Sequence, residues 1–297
     1  MQPGFFDVLK WKFASNRYAA AKKKKIRLKV IETRVEEIVS RGDSITYLGH
    51  ATLWLRLAGC SILTDPVFGD IWPNIKRNTP FPFPAGALPP ADIVLISHDH
   101  FDHLDRKSIR RLGTLPVYLV PLGYRDWFER VVPGATVLEL DWLDTTVQKG
   151  IQFRLLPAQH WTRRNLIDSN RRLWGSWMID TGSRRIFFCG DSGYFRGFGE
   201  FGEKYGPFDA AILPIAMNEP RWFMQAMHMD TAEAIQVFRQ LGAKVLIPEQ
   251  WGTFDLTDEL LDLPPKVYRE EARKAGLTET EAPLIPHGGT WYFPGNE

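Results

Sequence analysis

Cysteine is scarce in this chain: two residues in 297, Cys60 and Cys189. Each sits in or beside an apolar run, as in Arg185-Ile-Phe-Phe-Cys189. A disulfide framework is excluded, and buried free thiols are expected. Long hydrophobic runs are also missing, and none reaches the length of a membrane-crossing helix. The N-terminal residues lack an apolar leader with a small-residue cleavage site, so no secretory signal is read and a cytoplasmic protein is expected. Net charge is low, formally +2, which gives no argument for a nucleic-acid partner. Aromatics, by contrast, are plentiful: eleven Trp and nineteen Phe. Such side chains fill cores, and they also line apolar pockets and interfacial surfaces. At this length and 44% hydrophobic content, a large core is within reach.

Residues 1–40 differ from the remainder, and 41–297 read as one domain. The arm mixes Phe5, Phe6, Leu9, Trp11 and Phe13 with Lys10, Lys12 and Arg17, then runs through Lys22-Lys23-Lys24-Lys25-Ile26-Arg27. A like-charge block is ordinarily a solvated segment. A basic stretch carrying Trp and Phe also suits the surface of an anionic membrane, which would make the protein peripheral there. Both readings of the arm stand at this point.

Strands are expected at Ser44–Leu48, Thr52–Leu57, Cys60–Thr64, Asp92–Ser97, Val117–Val120, Ile151–Leu156, Leu173–Ile179, Arg185–Cys189, Ala210–Leu213 and Lys244–Ile247. Asn78–Pro90 is a proline-rich loop. Asp105 is placed to cap a helix ending at Leu112, and Asp230-Thr-Ala-Glu233 reads as a capping box for a helix to Leu241. A further helix is expected near Lys266–Ala275. Meandering strands first, then strands alternating with helices, predict an α/β fold of two sheets covered by helices.

All seven histidines, His50, His98, His100, His103, His160, His228 and His287, fall in loops or at strand ends. Such positions on a rigid scaffold are where reactive groups gather. The densest unit is Ser97-His98-Asp99-His100-Phe101-Asp102-His103-Leu104-Asp105, set between a buried strand and a capped helix. In extended chain, His98 and His100 point the same way, and the following turn aims Asp102 and His103 at a second position. Borderline cations such as zinc take imidazole nitrogen and carboxylate oxygen. His160, in Leu156-Pro-Ala-Gln-His160, and Asp191, in Cys189-Gly-Asp191, follow later strands and are further candidate ligands. His287, in Pro286-His-Gly-Gly289, is read as a turn residue that approaches the site.

Several stretches together resemble the metallo-β-lactamase superfamily, and within it the branch of phospholipases D that hydrolyse N-acyl-phosphatidylethanolamine. They are Leu48-Gly-His50-Ala-Thr52, Leu63-Thr-Asp65-Pro66, Ile96 to Asp105, Val120-Pro-Leu-Gly123 and Gln159-His-Trp161. Leu173-Trp-Gly-Ser-Trp177, Gly190-Asp-Ser-Gly-Tyr194, Tyr205-Gly-Pro-Phe-Asp209, Glu219-Pro-Arg-Trp-Phe-Met224, His228 and Trp251-Gly-Thr-Phe254 continue the likeness over nearly everything after the arm.

The resemblance implies a four-layer αβ/βα sandwich with a two-zinc site between its sheets. It implies that His98, His100 and His160 hold one zinc, Asp102 and His103 the other, and Asp191 both. Asp65 becomes the carboxylate that orients a ligand imidazole, with His50 a supporting group nearby. Asp102 and His228 are the candidate catalytic residues, His228 beside the substrate phosphate. Arg221 and Trp222 are candidates for contact with substrate, or else parts of an ordinary structural turn. The resemblance fails at one place: the family has His immediately before Trp-Gly-Thr-Phe, and this chain has Gln250. An amide oxygen is a weaker ligand than imidazole, so the second position is expected to be weak, or to take iron or manganese instead of zinc.

The expected reaction is therefore phosphodiester cleavage of phospholipase D type by a metal-held hydroxide, on N-acyl-phosphatidylethanolamine or a similar lipid. Two alternatives remain: a lactonase or phosphoester hydrolase on a small soluble substrate, and a non-catalytic membrane-surface protein with a degraded metal site. A long apolar groove would favour lipid, and a short polar pocket the small substrate. A homodimer is expected by analogy with relatives only.

Overall fold

Two interleaved apolar sets organise this chain, and the alternation of strand side chains sorts them. The computed structural model describes residues 4–24, 26–40, 42–83, 87–165 and 167–295. Residues 1–3 of the arm, Lys25 in its basic run and residues 84–86 of the proline-rich loop lie outside the described residues. The strands are β1 (Ser44–Gly49), β2 (Thr52–Leu57), β3 (Cys60–Thr64), β4 (Ile93–Leu95), β5 (Val117–Pro121), β6 (Thr136–Leu140), β7 (Thr145–Gln148), β8 (Ile151–Leu156), β9 (Ser176–Asp180), β10 (Arg185–Phe188), β11 (Ala210–Pro214), β12 (Leu246–Glu249) and β13 (Thr290–Tyr292). One sheet has the order β13-β1-β2-β3-β4-β5-β6, and the other β12-β11-β10-β9-β8-β7.

On the first sheet Ile45, Leu53, Leu55, Ile62, Ile93, Leu95 and Leu119 face inward, toward the second sheet. Leu48, Trp54, Leu63, Val94, Tyr118 and Val120 face outward, under the helices Arg106–Leu112 and Arg125–Val131. The period of two thus feeds a separate core on each face. The second sheet is covered by the helices Gly197–Tyr205 and Thr231–Gln240, through Phe198, Phe201, Ile235 and Phe238. The layers run helix, sheet, sheet, helix, the expected αβ/βα sandwich. Cys60 and Cys189 are both buried and unpaired.

Asp105 caps its helix by accepting from Ser108 N at 2.8 Å, and Asp230 with Glu233 forms the expected reciprocal box. β4 is shorter than Asp92–Ser97 because the chain leaves the ladder at Ser97, whose N–H is taken by the Asp65 carboxylate at 2.7 Å.

The arm is not a solvated tail. Its helix Phe5–Phe13 brings the Trp11 ring to 4.8 Å from the Phe223 ring. Arg17 pairs with Glu219, and Lys22 with Asp255 at 2.5 Å. Further on, Val30 bridges His287 and Ile38 is fully buried in the outer core, so the segment grades into the body before residue 40. Within the charge block Lys22 is offset by Asp255 while Lys23, Lys24 and Arg27 stay exposed, and apolar burial supplies the contact that composition alone did not show. Among the described residues, no helix is long and apolar enough to cross a membrane.

Candidate metal centre

The segment after β4 turns back on itself: Leu104 N–H bonds His100 O at 2.8 Å, and His103 N–H bonds the same oxygen at 3.1 Å. That turn gathers the side chains of His98, His100, Asp102 and His103 into one place. The loops after β8 and β10 add His160 and Asp191 from the opposite sheet. His98, His100, His160 and Asp191 offer donor atoms all within 4.8 Å of one another, and so do His50, Asp102 and His103.

Proton placement shows what these atoms are for. His160 Nδ1 lies 3.0 Å from the carbonyl oxygen of Met227, so it carries the ring proton and leaves Nε2 a bare lone pair. Ser97 Oγ donates to Asp65 at 2.5 Å and receives His98 Nδ1–H at 2.9 Å, so His98 Nε2 is bare as well. Both lone pairs point at His100 Nδ1, from 2.9 Å (His98) and 3.2 Å (His160). Asp191 Oδ2 stands 3.5 Å from His160 Nε2 and 3.7 Å from His98 Nε2. Ligands of a four-coordinate cation at zinc–nitrogen distance lie roughly 3.3–3.4 Å apart. Donor atoms converging at that spacing suit a cation.

The electrostatics agree. Burial drives the imidazoles of His98 and His160 well below their usual range and His100 down to about 4, so all three are neutral and ready to ligate. At His103 burial acts the same way, but Asp191 and Asp102 outweigh it and hold the ring well above its ordinary value. There a proton supplies the positive charge that a cation would bring. Asp191 itself is pulled well below the carboxylate range, against its burial, chiefly by His103 and His228. His100 Nε2 is buried without a hydrogen-bond partner, and His103 Nε2 faces Asp191 Oδ1 at 3.2 Å. The residues present therefore fit a metal group.

Asp65 accepts from His103 Nδ1 at 2.7 Å and from Ser97, so one buried carboxylate steadies imidazoles on both halves of the cluster. His50 Nε2 lies 3.0 Å from Asp102 Oδ2. His228 Nδ1 is 3.7 Å from Asp191 Oδ2, and burial lowers its pKa.

The arrangement places three further candidates. Arg221 does not face the cavity over the cluster: its guanidinium bonds His228 O at 2.7 Å and Glu233 Oε2 at 2.5 Å. It holds the backbone of His228 in place. Trp222, 41% exposed, also lies outside that cavity, under Lys10 at 4.7 Å. His287 is fully buried and bonds Thr253 Oγ1 at 3.1 Å. It props the Gly252 and Gly49 backbones, where added Cβ atoms would meet its ring at 3.0 and 3.2 Å. Sequence reasoning missed Ser97 and the Met227 carbonyl as supports. Ser97 was signalled only by its place beside His98, and a backbone carbonyl leaves no trace in composition.

Above the cluster opens a cavity of about 900 Å³. His100, Asp102, Asp191 and His228 lie in its floor, and Trp11, Trp72, Trp161, Phe223 and Met224 are among its walls. It is large and mostly apolar, with Arg163, Arg164 and Asn165 also in its lining.

Known proteins share this construction. The family model described as a beta-lactamase superfamily domain matches residues 61–251. N-acyl-phosphatidylethanolamine-hydrolyzing phospholipase D 1 of Caenorhabditis elegans is 37% identical over 265 residues, which is 83% of this chain and 74% of that protein. The mitochondrial N-acyl-phosphatidylethanolamine-hydrolyzing phospholipase D of Saccharomyces cerevisiae is 33% identical over 74% of this chain, a match spanning only half of the yeast protein. A metallo hydrolase from the archaeon Ignicoccus hospitalis superposes with a TM-score of 0.63 at 20% identity, over 84% of this chain and 99% of its own.

Proposed function

Since this chain belongs to the beta-lactamase superfamily domain family and is a metal-dependent hydrolase, we propose that it cleaves phosphodiesters in phospholipase D fashion, on N-acyl-phosphatidylethanolamine or a lipid like it. The observation that carries this reading is the cavity: about 900 Å³, walled by aromatic and Met side chains, with the donor cluster in its floor. Apolar walls of this extent suit acyl chains.

In this reading His98, His100, His160 and Asp191 hold one cation, and Asp102, His103 and Asp191 contribute to a second, with zinc, iron and manganese as the metals to test. Bound cations lower the pKa of a water and neutralise charge on the attacked phosphorus. Asp65 and the Met227 carbonyl keep the imidazoles aimed. His228, neutral through burial, presents an N–H to the phosphoryl oxygens or to the leaving N-acylethanolamine oxygen. Arg221 fixes the height of His228 through its carbonyl. Exposed Phe6 and Phe13, beside Lys10 and Lys12, suit contact with an anionic bilayer from which the lipid is drawn.

The test is turnover of N-acyl-phosphatidylethanolamine vesicles, with release of phosphatidate followed by mass spectrometry, after chelation and reloading with each metal. Bis(p-nitrophenyl) phosphate and a simple lactone serve as competing substrates. Cleavage of the lipid that vanishes on chelation and in His100→Ala supports the proposal. Turnover of the lactone alone, or activity that survives chelation, refutes it.

A further inference from the structure

We propose that His50 is itself a ligand of the second cation, completing with Asp102, His103 and Asp191 a donor set that Gln250 leaves unfinished. The inference rests on the two-cation reading given above. His50 is buried, and its Nε2 lies 3.0 Å from Asp102 Oδ2. His103 Nε2 stands 3.7 Å from the same oxygen and 3.2 Å from Asp191 Oδ1. These separations match the spacing of donors around the first position, and His50, Asp102 and His103 converge within 4.8 Å.

Gln250 offers only an amide beside Asp191, and an amide oxygen is a weaker ligand than imidazole.

The backbone explains how one residue stands in for the other. Gln250 N–H bonds His50 O at 3.0 Å, so both side chains leave from neighbouring points. Both residues also hold left-handed backbone, with φ of 54° at His50 and 66° at Gln250. Non-glycine residues keep that conformation only where surrounding structure enforces it, and such positions gather at functional sites. Here the enforcing contacts are the bond from His50 N to Thr253 Oγ1 at 2.7 Å and the edge of His50 against Phe254, 5.3 Å between centroids. The His50 ring is thereby fixed against His103, with centroids 5.0 Å apart.

A hydrogen-bonding prop for Asp102 would have much the same geometry, and a double-mutant cycle in metal affinity separates the two roles. Full-length protein is stripped of metal and titrated with cobalt(II), reading the ligand-field absorption of the first and second equivalents. In the wild-type background, His50→Ala is expected to weaken the second equivalent by ~100-fold or more and to leave the first unchanged. In the Gln250→His background, where another imidazole is present, the same change is expected to cost less than about tenfold. Gln250→Leu alone is expected to cost little.

Equal losses in both backgrounds make His50 a prop and overturn the proposal. So does a loss in Gln250→Leu as large as that in His50→Ala. Should the His50 variants not fold, proton NMR of the cobalt-loaded wild type decides. A hyperfine-shifted exchangeable N–H assigned to His50, beside those of His98, His100, His103 and His160, upholds the proposal, and its absence removes it. Failure of even the first equivalent to bind would instead overturn the two-cation reading.

Discussion

The Trp11 ring rests on the Phe223 ring, 4.8 Å between centroids, and the two residues, 212 positions apart in sequence, form one wall of the cavity over the donor cluster. The arm is therefore part of the wall of that cavity. Trp11→Ala removes an aromatic pair and apolar wall together, and should raise KM for a long-chain lipid about tenfold. The kcat for bis(p-nitrophenyl) phosphate should stay unchanged, because the donor cluster is untouched. Parallel losses on both substrates would show that the arm stabilises the fold only.

Asp65 accepts three hydrogen bonds, from Ser97 N, Ser97 Oγ and His103 Nδ1, while fully buried. Asp65→Asn replaces an acceptor with a group that must donate on one side. Metal affinity should fall about 10–100-fold. Competition with a chromophoric chelator measures this, and an unchanged circular dichroism spectrum would exclude general unfolding.

Asp99, inside the histidine motif, points away from the cluster. Its carboxylate, fully buried, binds Arg172 Nη1 at 2.9 Å and Arg163 N at 2.9 Å. Arg164 Nη1 bonds the carbonyl of the same residue at 2.6 Å. Removing that carboxylate leaves Arg172 with Asp168 alone, 3.2 Å from its Nη1, and loses a charge-assisted hydrogen bond, which typically costs about 1.5–3 kcal/mol. Urea unfolding of Asp99→Ala should show the loss, and Asp99→Asn a smaller one. A variant as stable as the wild type would mean that solvent reaches this pair.

His287 supplies a pH signature. Burial, with Arg77 nearby, lowers its pKa to about 3 in the folded chain, against an ordinary value of 6.5. Between those values the unfolded chain binds the proton and the folded chain does not. Stability from this residue is therefore complete above pH 6.5 and is lost as pH falls toward 3, at up to about 1.4 kcal/mol per unit. His287→Gln has no such proton to take up. Unfolding free energies of metal-free protein at pH 7 and pH 5 should differ less in the variant than in the wild type. Equal slopes would contradict the assignment.

Local signals in the sequence carried far, and their failures share a cause. The motif from His98 to His103 was readable because chain order itself brings those side chains together. Asp105 and Asp230 were readable as caps because a cap acts three residues away. Thr290–Tyr292 was not foreseen as a strand, since its residues are only half buried and it becomes a strand by pairing with β1, far away in sequence. Arg221 looked like a cation for substrate. Its true partners, Glu233 and the His228 carbonyl, depend on how the helix Arg221–Met224 packs against the helix Thr231–Gln240. Nor could any pattern show that His50 and Gln250 meet through a backbone bond, because left-handed φ at a non-glycine residue is imposed by tertiary contacts.

β13 pairs antiparallel with β1, Ser44 opposite Tyr292 and Thr46 opposite Thr290. During synthesis the first sheet begins with an open edge, and the strand that closes it emerges only after some 240 further residues. Until then β1 offers unpaired backbone to any passing strand. A chain cut between the helix Leu263–Lys274 and β13 would thus keep every loop of the donor cluster and still carry an exposed edge strand.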